Sequence, residues 1–109
     1  SASDSQMKAQ QNLKRLPDTQ KTKGPLEKYA VSQMKLVGII QQGGKNWALI
    51  KNGDGRNVYS VKTGDFIGKD YGLIDKITKH EVFITEIHKT PSDLWEERKV
   101  HLELKNEEQ

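Results

Sequence analysis

From residue 36 onward, apolar and polar residues alternate in short runs that are typical of β-strands. The runs are rich in Val, Ile, Leu, Tyr and Thr, and Gly, Asn and Asp residues separate them. The pattern predicts strands near residues 36–42, 46–52, 56–62, 73–79, 81–88 and 95–104. The pattern at residues 29–34 predicts a single helical turn before the first strand. The predicted fold class is all-β, a small antiparallel sandwich or partly open barrel of six to seven strands.

Two glycine-containing stretches predict tight hairpins between consecutive strands. They are Gly43-Gly44 and Asn52-Gly53-Asp54-Gly55. Gly, Asn and Asp tolerate the positive φ that short hairpin turns require, so the strands that they join should pair antiparallel.

Alternation along the strands indicates which side chains share a face. Along residues 81–88, Val82 and Ile84 share a face with Glu86 and His88. In the last strand, Val100 and Leu102 fall on one face. The rest of the predicted core consists of apolar positions from every strand and from the loop before residue 73: Val37, Ile39, Ala48, Ile50, Val58, Val61, Ile67, Leu73, Ile74, Ile77 and Phe83.

Residues 63–72 are unusually rich in glycine, aspartate and aromatic residues. The stretch TGDFIGKDYG has three glycines, two aspartates and two aromatic residues. Glycines at these positions permit positive φ or a close backbone approach, while Phe66, Ile67 and Tyr71 can anchor the loop by burial. We expect a structured loop here.

The first 25 residues differ in composition from the rest of the chain. They hold five Lys or Arg and two Asp, a net charge of +3, whereas residues 26–109 hold 13 basic and 13 acidic residues. The segment lacks aromatic residues, and Pro17 and Gly24-Pro25 interrupt any helix. We therefore predict a flexible basic tail at residues 1–25, disordered without a partner, and one β-domain at residues 26–109.

Composition excludes several kinds of chemistry. The chain has no cysteine, which rules out disulfides, thiolate metal sites and cysteine nucleophiles. His80, His88 and His101 show no close ligand spacing, and neither Gly-Lys pair completes a phosphate-binding loop. The sequence predicts no enzyme, no cofactor and no metal site, with the histidines facing solvent or ending strands.

The aromatic residues leave one alternative open. Trp47, Tyr59, Phe66 and Tyr71 could stack the bases of a single-stranded nucleic acid on a small β-barrel. The neutral charge of residues 26–109 provides no electrostatic track for a phosphate backbone. Nucleic-acid binding is therefore the alternative to a protein-binding domain.

A longer motif carries a resemblance to a known family. The sequence VKTGDFIGKDYG at residues 61–72, followed by WEER at residues 95–98, resembles the PilP family of inner-membrane lipoproteins in type IV pilus assembly. The likeness covers about residues 26–105. Asp70, where Asn is commoner, and Thr-Pro-Ser-Asp at residues 90–93 depart from the family pattern.

The resemblance implies a location and partners. It implies a periplasmic β-sandwich in a Gram-negative bacterium, held to the inner membrane by a lipidated cysteine that would precede the printed sequence. Its partners would be the inner-membrane PilN–PilO heterodimer and the N-terminal periplasmic domains of the outer-membrane secretin PilQ. The role would be binding that bridges the two membranes.

Two sets of residues are expected to make these contacts. The secretin would bind a groove beside the first two strands and the glycine-rich loop, formed by Val37, Ile39, Trp47, Leu49, Phe66 and Tyr71. The tail would bind PilN–PilO, with apolar and basic contacts from Leu13, Lys14, Arg15, Leu16, Lys21 and Leu26.

Overall fold

The computed structural model describes residues 13–105, which contain seven strands and two short 3-10 turns. The turns are η1 (Pro25–Glu27) and η2 (Val31–Gln33). The strands are β1 (Lys35–Gln42), β2 (Lys45–Lys51), β3 (Val58–Val61), β4 (Phe66–Ile67), β5 (Gly72–Ile77), β6 (Glu81–Lys89) and β7 (Trp95–Glu103). Within residues 13–105, no helix is long and apolar enough to cross a membrane.

The strands form two antiparallel sheets that pack into a sandwich. A three-stranded sheet has the order β1-β2-β3, and a four-stranded sheet has the order β4-β5-β6-β7. The predicted all-β class and antiparallel pairing are confirmed, and the six predicted strands are present. The seventh, β4, is a two-residue strand inside the glycine-rich loop, where Phe66 and Ile67 pair with Leu73 and Gly72.

The core lies between the two sheets and is closed at one end by the 3-10 turns. Its buried side chains come from strands β1 to β6 and from both turns, and β7 adds the partly buried Val100 and Leu102. The buried residues are Leu26, Val31, Met34, Leu36, Ala48, Ile50, Val61, Ile67, Ile74, Ile77, Val82 and Ile84. Burying side chains of this size contributes about 1.5–3 kcal/mol each.

Several core assignments made from the sequence need correction. Val58 is 49% exposed, because it pairs with Lys51 on the outward side of the three-stranded sheet. Phe83 is half-buried on the outer face of the four-stranded sheet, beside His101. Leu36, which the sequence left out of the core, is 2% exposed and pairs with the buried Ile50.

A β-bulge in β1 explains why simple alternation fails there. The register shifts between Leu36 and Gly38, so Val37 is an extra residue opposite β2. An extra residue reverses the facing of everything after it. As a result, Leu36 and Ile39 both face the core although they are three residues apart.

The glycine-rich loop is fixed by close backbone approaches. A Cβ atom on Gly72 would lie 2.3 Å from the carbonyl oxygen of Ile67. Gly68 has φ +87°, and a Cβ there would lie 2.6 Å from Val31 Cγ2. Gly68 and Lys69 also donate backbone hydrogen bonds to the carbonyl oxygens of Leu26 and Tyr29. The loop is structured, as the sequence predicts, because it packs against the chain between the two turns.

The chain before η1 crosses the outer face of the four-stranded sheet. Residues 13–23, here called the covering segment, contain no helix or strand. Leu13 is nevertheless only 7% exposed, and Arg15 donates hydrogen bonds to the carbonyl oxygens of Tyr71 and Thr85 at 2.6 and 2.8 Å. The expected lack of regular structure is therefore seen in the covering segment, but the segment is docked on the domain. The part of the predicted tail before residue 13 lies outside the described residues.

Candidate functional site

A groove runs along one side of the sandwich between β1 and β7. Each of these strands is the edge of its sheet. The groove has a volume of about 740 Å³, and its apolar wall includes Val31, Met34 and Leu36 on one side and Val100 and Leu102 on the other. An edge strand offers backbone N–H and C=O groups to an added strand. This edge groove can therefore bind an extended segment with apolar side chains.

One end of the edge groove is acidic. Asp70 and Glu86 line it, and His88 lies next to both. Glu86 follows Ile84 on the core-facing side of β6, so its polar side chain is buried. His88 Nε2 lies 2.8 Å from Glu86 Oε1 and 3.9 Å from Asp70 Oδ2. The alternation of β6 had placed Glu86 and His88 on one face, but nothing in the sequence brings Asp70 to them.

The six residues predicted to form the secretin groove do not come together. Ile39 packs against the core, and Val37 lies at the bulge. Trp47 and Leu49 face outward on the three-stranded sheet, since their neighbours Ala48 and Ile50 are fully buried.

Phe66 and Tyr71 lie on the other sheet, beside the covering segment. The ammonium nitrogen of Lys21 is 3.8 Å from the centroid of the Phe66 ring, and that of Lys23 is 5.1 Å from the Tyr71 ring. Tyr59 packs against the core. The aromatic residues considered for base stacking therefore lie on different faces and do not form one platform.

The outward side of the three-stranded sheet carries an apolar patch. This open face consists of Ile40, Trp47, Leu49 and Val58, and Ile40 and Val58 are 43% and 49% exposed. Leu49 lies against Gly38, where a Cβ atom would come within 3.2 Å of Leu49 Cδ1. Lys62 lies 5.9 Å from the Trp47 ring. The open face is the second apolar surface of the domain.

A comparison with known protein families shows which family the chain belongs to. The family model described as "Pilus assembly protein, PilP" matches residues 1–104. The chain belongs to the PilP family. The resemblance carried by residues 61–72 and 95–98 is thereby confirmed.

A curated relative of this chain carries the name of the family. The Type IV pilus inner membrane component PilP of Pseudomonas aeruginosa is 29% identical over 89 residues, which are 82% of this chain and 50% of that protein. The chain thus spans about half the length of the curated relative that it matches. The names of the relatives, an inner membrane component and a biogenesis lipoprotein, agree with the expected inner-membrane lipoprotein.

Solved PilP domains share the fold. The solution structure of PilP from Pseudomonas aeruginosa matches with a TM-score of 0.74 and 27% identity, over 87% of this chain and 84% of that one. A domain of the Neisseria meningitidis PilP pilot protein matches with a TM-score of 0.67 and 32% identity, over 88% of this chain and 83% of that one.

The motif that identified the PilP family has a structural role in this chain. Gly68 and Gly72 permit the close approaches described above, and the Tyr71 ring meets the Trp95 ring edge-on at a centroid distance of 6.1 Å. Tyr71 itself has φ +56°. The motif therefore holds the glycine-rich loop to β7 and to the 3-10 turns, and so shapes the acidic end of the edge groove.

The residues predicted to bind PilN–PilO are mostly engaged with the domain. Leu26 is buried in the core, and Leu16 is half-buried. The backbone N–H of Lys14 donates to Glu97 Oε2 at 2.8 Å, and Lys21 Nζ forms an ion pair with Glu27 Oε2 at 2.8 Å.

The contacts of the covering segment shift the pKa values of Arg15 and Glu27. Burial lowers the pKa of the Arg15 guanidinium, while the carboxylates of Glu97 and Asp75 act in the opposite direction. Desolvation raises the pKa of Glu27, but hydrogen bonds from Lys21 and from the Gly24 N–H, with the charges of Lys21 and Lys23, outweigh it and leave the pKa below its ordinary value. Charged groups therefore hold both ends of the covering segment.

Proposed function

We propose that this chain is the periplasmic part of a non-catalytic scaffold of the type IV pilus machinery. It links the inner-membrane PilN–PilO complex to the outer-membrane secretin PilQ by protein–protein binding. Membership of a pilus assembly family and a relative named as an inner membrane component support this role.

The edge groove is the observation that carries the proposal. Two edge strands border it, and its wall is apolar on both sides. Strand addition at a sheet edge supplies backbone hydrogen bonds, and pockets for alternate side chains supply specificity. We assign this surface to the secretin, and Trp47 and Leu49 on the open face are the competing surface.

The inner-membrane contact involves the chain before residue 26. Its basic and apolar side chains offer charge complementarity and burial to PilN–PilO. In the described residues these side chains already contact the four-stranded sheet, so PilN–PilO would bind a segment that is docked on the domain. Tethering at the membrane raises the effective concentration of the β-domain near its second partner.

A titration followed by NMR tests the secretin contact. Isotope-labelled residues 1–109 are titrated with the N-terminal periplasmic domains of the cognate PilQ. We expect amide shifts in η2, β1 and β7, with smaller changes in β3. Shifts centred on Trp47 and Leu49 would move the contact to the open face, and the absence of shifts at millimolar PilQ would refute a secretin contact by this domain.

A matched pair of variants sharpens this test. Val100→Glu places a charge on the wall of the edge groove, and Val58→Glu places the same charge on β3 at the open face. We expect at least a tenfold loss of PilQ affinity for Val100→Glu and none for Val58→Glu. Because Val100 is half-buried, Ser32→Arg at the exposed rim provides a second groove variant that leaves the core intact.

A further inference from the structure

The acidic end of the edge groove contains three side chains that are suitable for binding a metal ion. Asp70, Glu86 and His88 each offer one ligand atom, and these atoms lie within 4.8 Å of one another. Imidazole nitrogen and carboxylate oxygen are both ordinary zinc ligands. The three residues come from two parts of the fold, since Asp70 is in the glycine-rich loop and the other two are in β6.

The two distances from the His88 nitrogen to the carboxylate oxygens are close to those of a metal site. Tetrahedral zinc with bonds of about 2.0–2.1 Å has its ligand atoms roughly 3.3 Å apart. The distances from His88 Nε2 are 2.8 Å to Glu86 Oε1 and 3.9 Å to Asp70 Oδ2. A side-chain adjustment of about half an ångström would bring both distances to the tetrahedral value.

The buried carboxylate of Glu86 has little charge compensation. Its side chain is 8% exposed, and among residues 13–105 no Lys or Arg forms an ion pair with it. His88 Nε2 is its only hydrogen-bond partner in that part of the chain. A buried carboxylate is costly unless an opposite charge compensates it. A divalent cation would compensate Glu86 and Asp70 together.

The backbone around the three ligands is held in place. The Asp70 carbonyl oxygen accepts a hydrogen bond from the Ile87 N–H at 3.0 Å, which ties the loop to β6 between the two other ligands. Lys69 Nζ lies 3.3 Å from Asp70 Oδ2, but this lysine side chain is 55% exposed, and exposed ion pairs are weak. The lysine can therefore move away when a metal ion binds Asp70.

We infer that Asp70, Glu86 and His88 form a zinc-binding site at the acidic end of the edge groove. Two carboxylate oxygens and one imidazole nitrogen supply three ligands. Because Asp70 and Glu86 line the groove, the fourth position is accessible from it, to a water molecule or to a side chain of a protein bound there. This inference goes beyond the scaffold role and does not depend on it.

A second group of the same residue types provides an internal control. Glu81, His101 and Glu103 also have ligand atoms within 4.8 Å of one another. The side chains of His101 and Glu103 are 48% and 63% exposed, and no buried carboxylate is present in this group. It should bind metal more weakly than the first group.

Metal titration of the untagged chain of residues 1–109 tests the site. Zinc binding is measured by calorimetry, and Co²⁺ is used as a spectroscopic probe, because tetrahedral Co²⁺ absorbs strongly in the visible range. We expect one zinc per chain with micromolar affinity and a tetrahedral Co²⁺ spectrum that zinc abolishes. Binding only at millimolar zinc would overturn the inference.

Three variants identify the ligands. His88→Gln and Glu86→Gln should each weaken zinc binding at least tenfold, whereas His101→Gln should leave it unchanged. Glu86→Gln is nearly isosteric and removes a buried charge, so we expect it to fold, and the dispersion of its amide NMR spectrum checks this. If His101→Gln removes the binding, or if His88→Gln does not, the assignment is wrong.

The outcome can be separated from that of the scaffold proposal. Zinc binding is measured without PilQ, and PilQ binding is measured with a chelator present. Failure of one measurement therefore leaves the other unaffected.

Discussion

The outer faces of the two sheets differ in what covers them. On the four-stranded sheet, the covering segment lies over β5 and β6, where Thr85 and Ile87 are buried. On the three-stranded sheet, Ile40 and Val58 are largely exposed in the described structure. Both faces carry apolar side chains, so apolar content alone does not decide which face is covered.

Polar anchoring explains the difference. Arg15 finds two backbone carbonyl oxygens on the four-stranded sheet, with the carboxylates of Glu97 and Asp75 nearby. On the open face, the charged group next to Trp47 is Lys62, which is already paired with the Asp65 carboxylate at 3.1 Å. The basic covering segment therefore selects the face that has acceptors and carboxylates.

The comparison has a consequence for partner binding. A protein that binds residues 13–23 has to displace them from the four-stranded sheet, whereas a protein that binds the open face displaces only water. How firmly the covering segment is held can be measured at Leu13, Arg15 and Glu27, which should contribute progressively less to its docking.

Leu13→Ala should have the largest effect. Truncating a buried leucine costs about 2–5 kcal/mol, and at the margin of the sheet we expect about 2 kcal/mol. Urea denaturation followed by tryptophan fluorescence measures the change in the free energy of unfolding. Leu94→Ala, at a side chain that is 48% exposed, is the control and should change it by less than about 0.5 kcal/mol. Equal effects of the two substitutions would mean that Leu13 is not buried in solution.

Arg15→Lys should have an intermediate effect. One guanidinium nitrogen, Arg15 Nη2, donates to the carbonyl oxygens of both Tyr71 and Thr85. A lysine side chain is one bond shorter and its ammonium group is more strongly hydrated, so Lys at this position would reach these oxygens less well and lose more free energy on burial. We expect a loss of about 1 kcal/mol, together with faster amide hydrogen exchange in β5 and β6. Exchange in β1–β3 serves as the internal reference. Unchanged exchange in β5 and β6 would contradict the docking of Arg15.

Lowering the pH should have the smallest of the three effects. It should loosen the C-terminal end of the covering segment, where Lys21 is paired with Glu27. The pKa of Glu27 is lower in the folded chain than its ordinary value, so its contribution is present above that ordinary value and is lost as pH falls through the folded pKa. We expect less than about 1 kcal/mol, seen as shifts of the Lys21 and Gly24 resonances in an acid titration. Glu27→Gln should remove this pH dependence, and persistence of the shifts in that variant would assign them to another group.

The strands were predictable from the sequence, whereas the surfaces were not. The alternation and the Gly43-Gly44 turn are local, so they specify the strands and the first hairpin directly. The second hairpin pairs as predicted, but its connection is a loop of six residues, 52–57, and not a tight turn. The facing of Ile39 depends on the bulge at Val37, which no local pattern in β1 reveals. Val58 shows the same limit, because its exposure depends on the pairing of β3 with β2, which turns Val58 outward opposite Lys51 and Val61 inward opposite Ala48.

The edge groove and the docking of the segment depend on contacts between distant residues. Lys14 and Glu97 are 83 residues apart in sequence. β1 and β7 are edge strands because of the strand order in each sheet, which the sequence of neither strand reveals. One element of the acidic end was visible, namely the shared face of Glu86 and His88, but Asp70 joins them only through the backbone of the glycine-rich loop.

The docking of the covering segment also has a mechanical consequence. The eleven residues of the covering segment have an extended length of roughly 40 Å at about 3.5 Å per residue. Pulling them off the sheet would lengthen the chain by the part of this length that the docked path does not already span. Tension applied from the N-terminal side would break the contacts of Leu13, Arg15 and Lys21 one after another, before any strand of the sandwich bears load. The segment would then act as a reserve of length that yields while the folded domain stays intact.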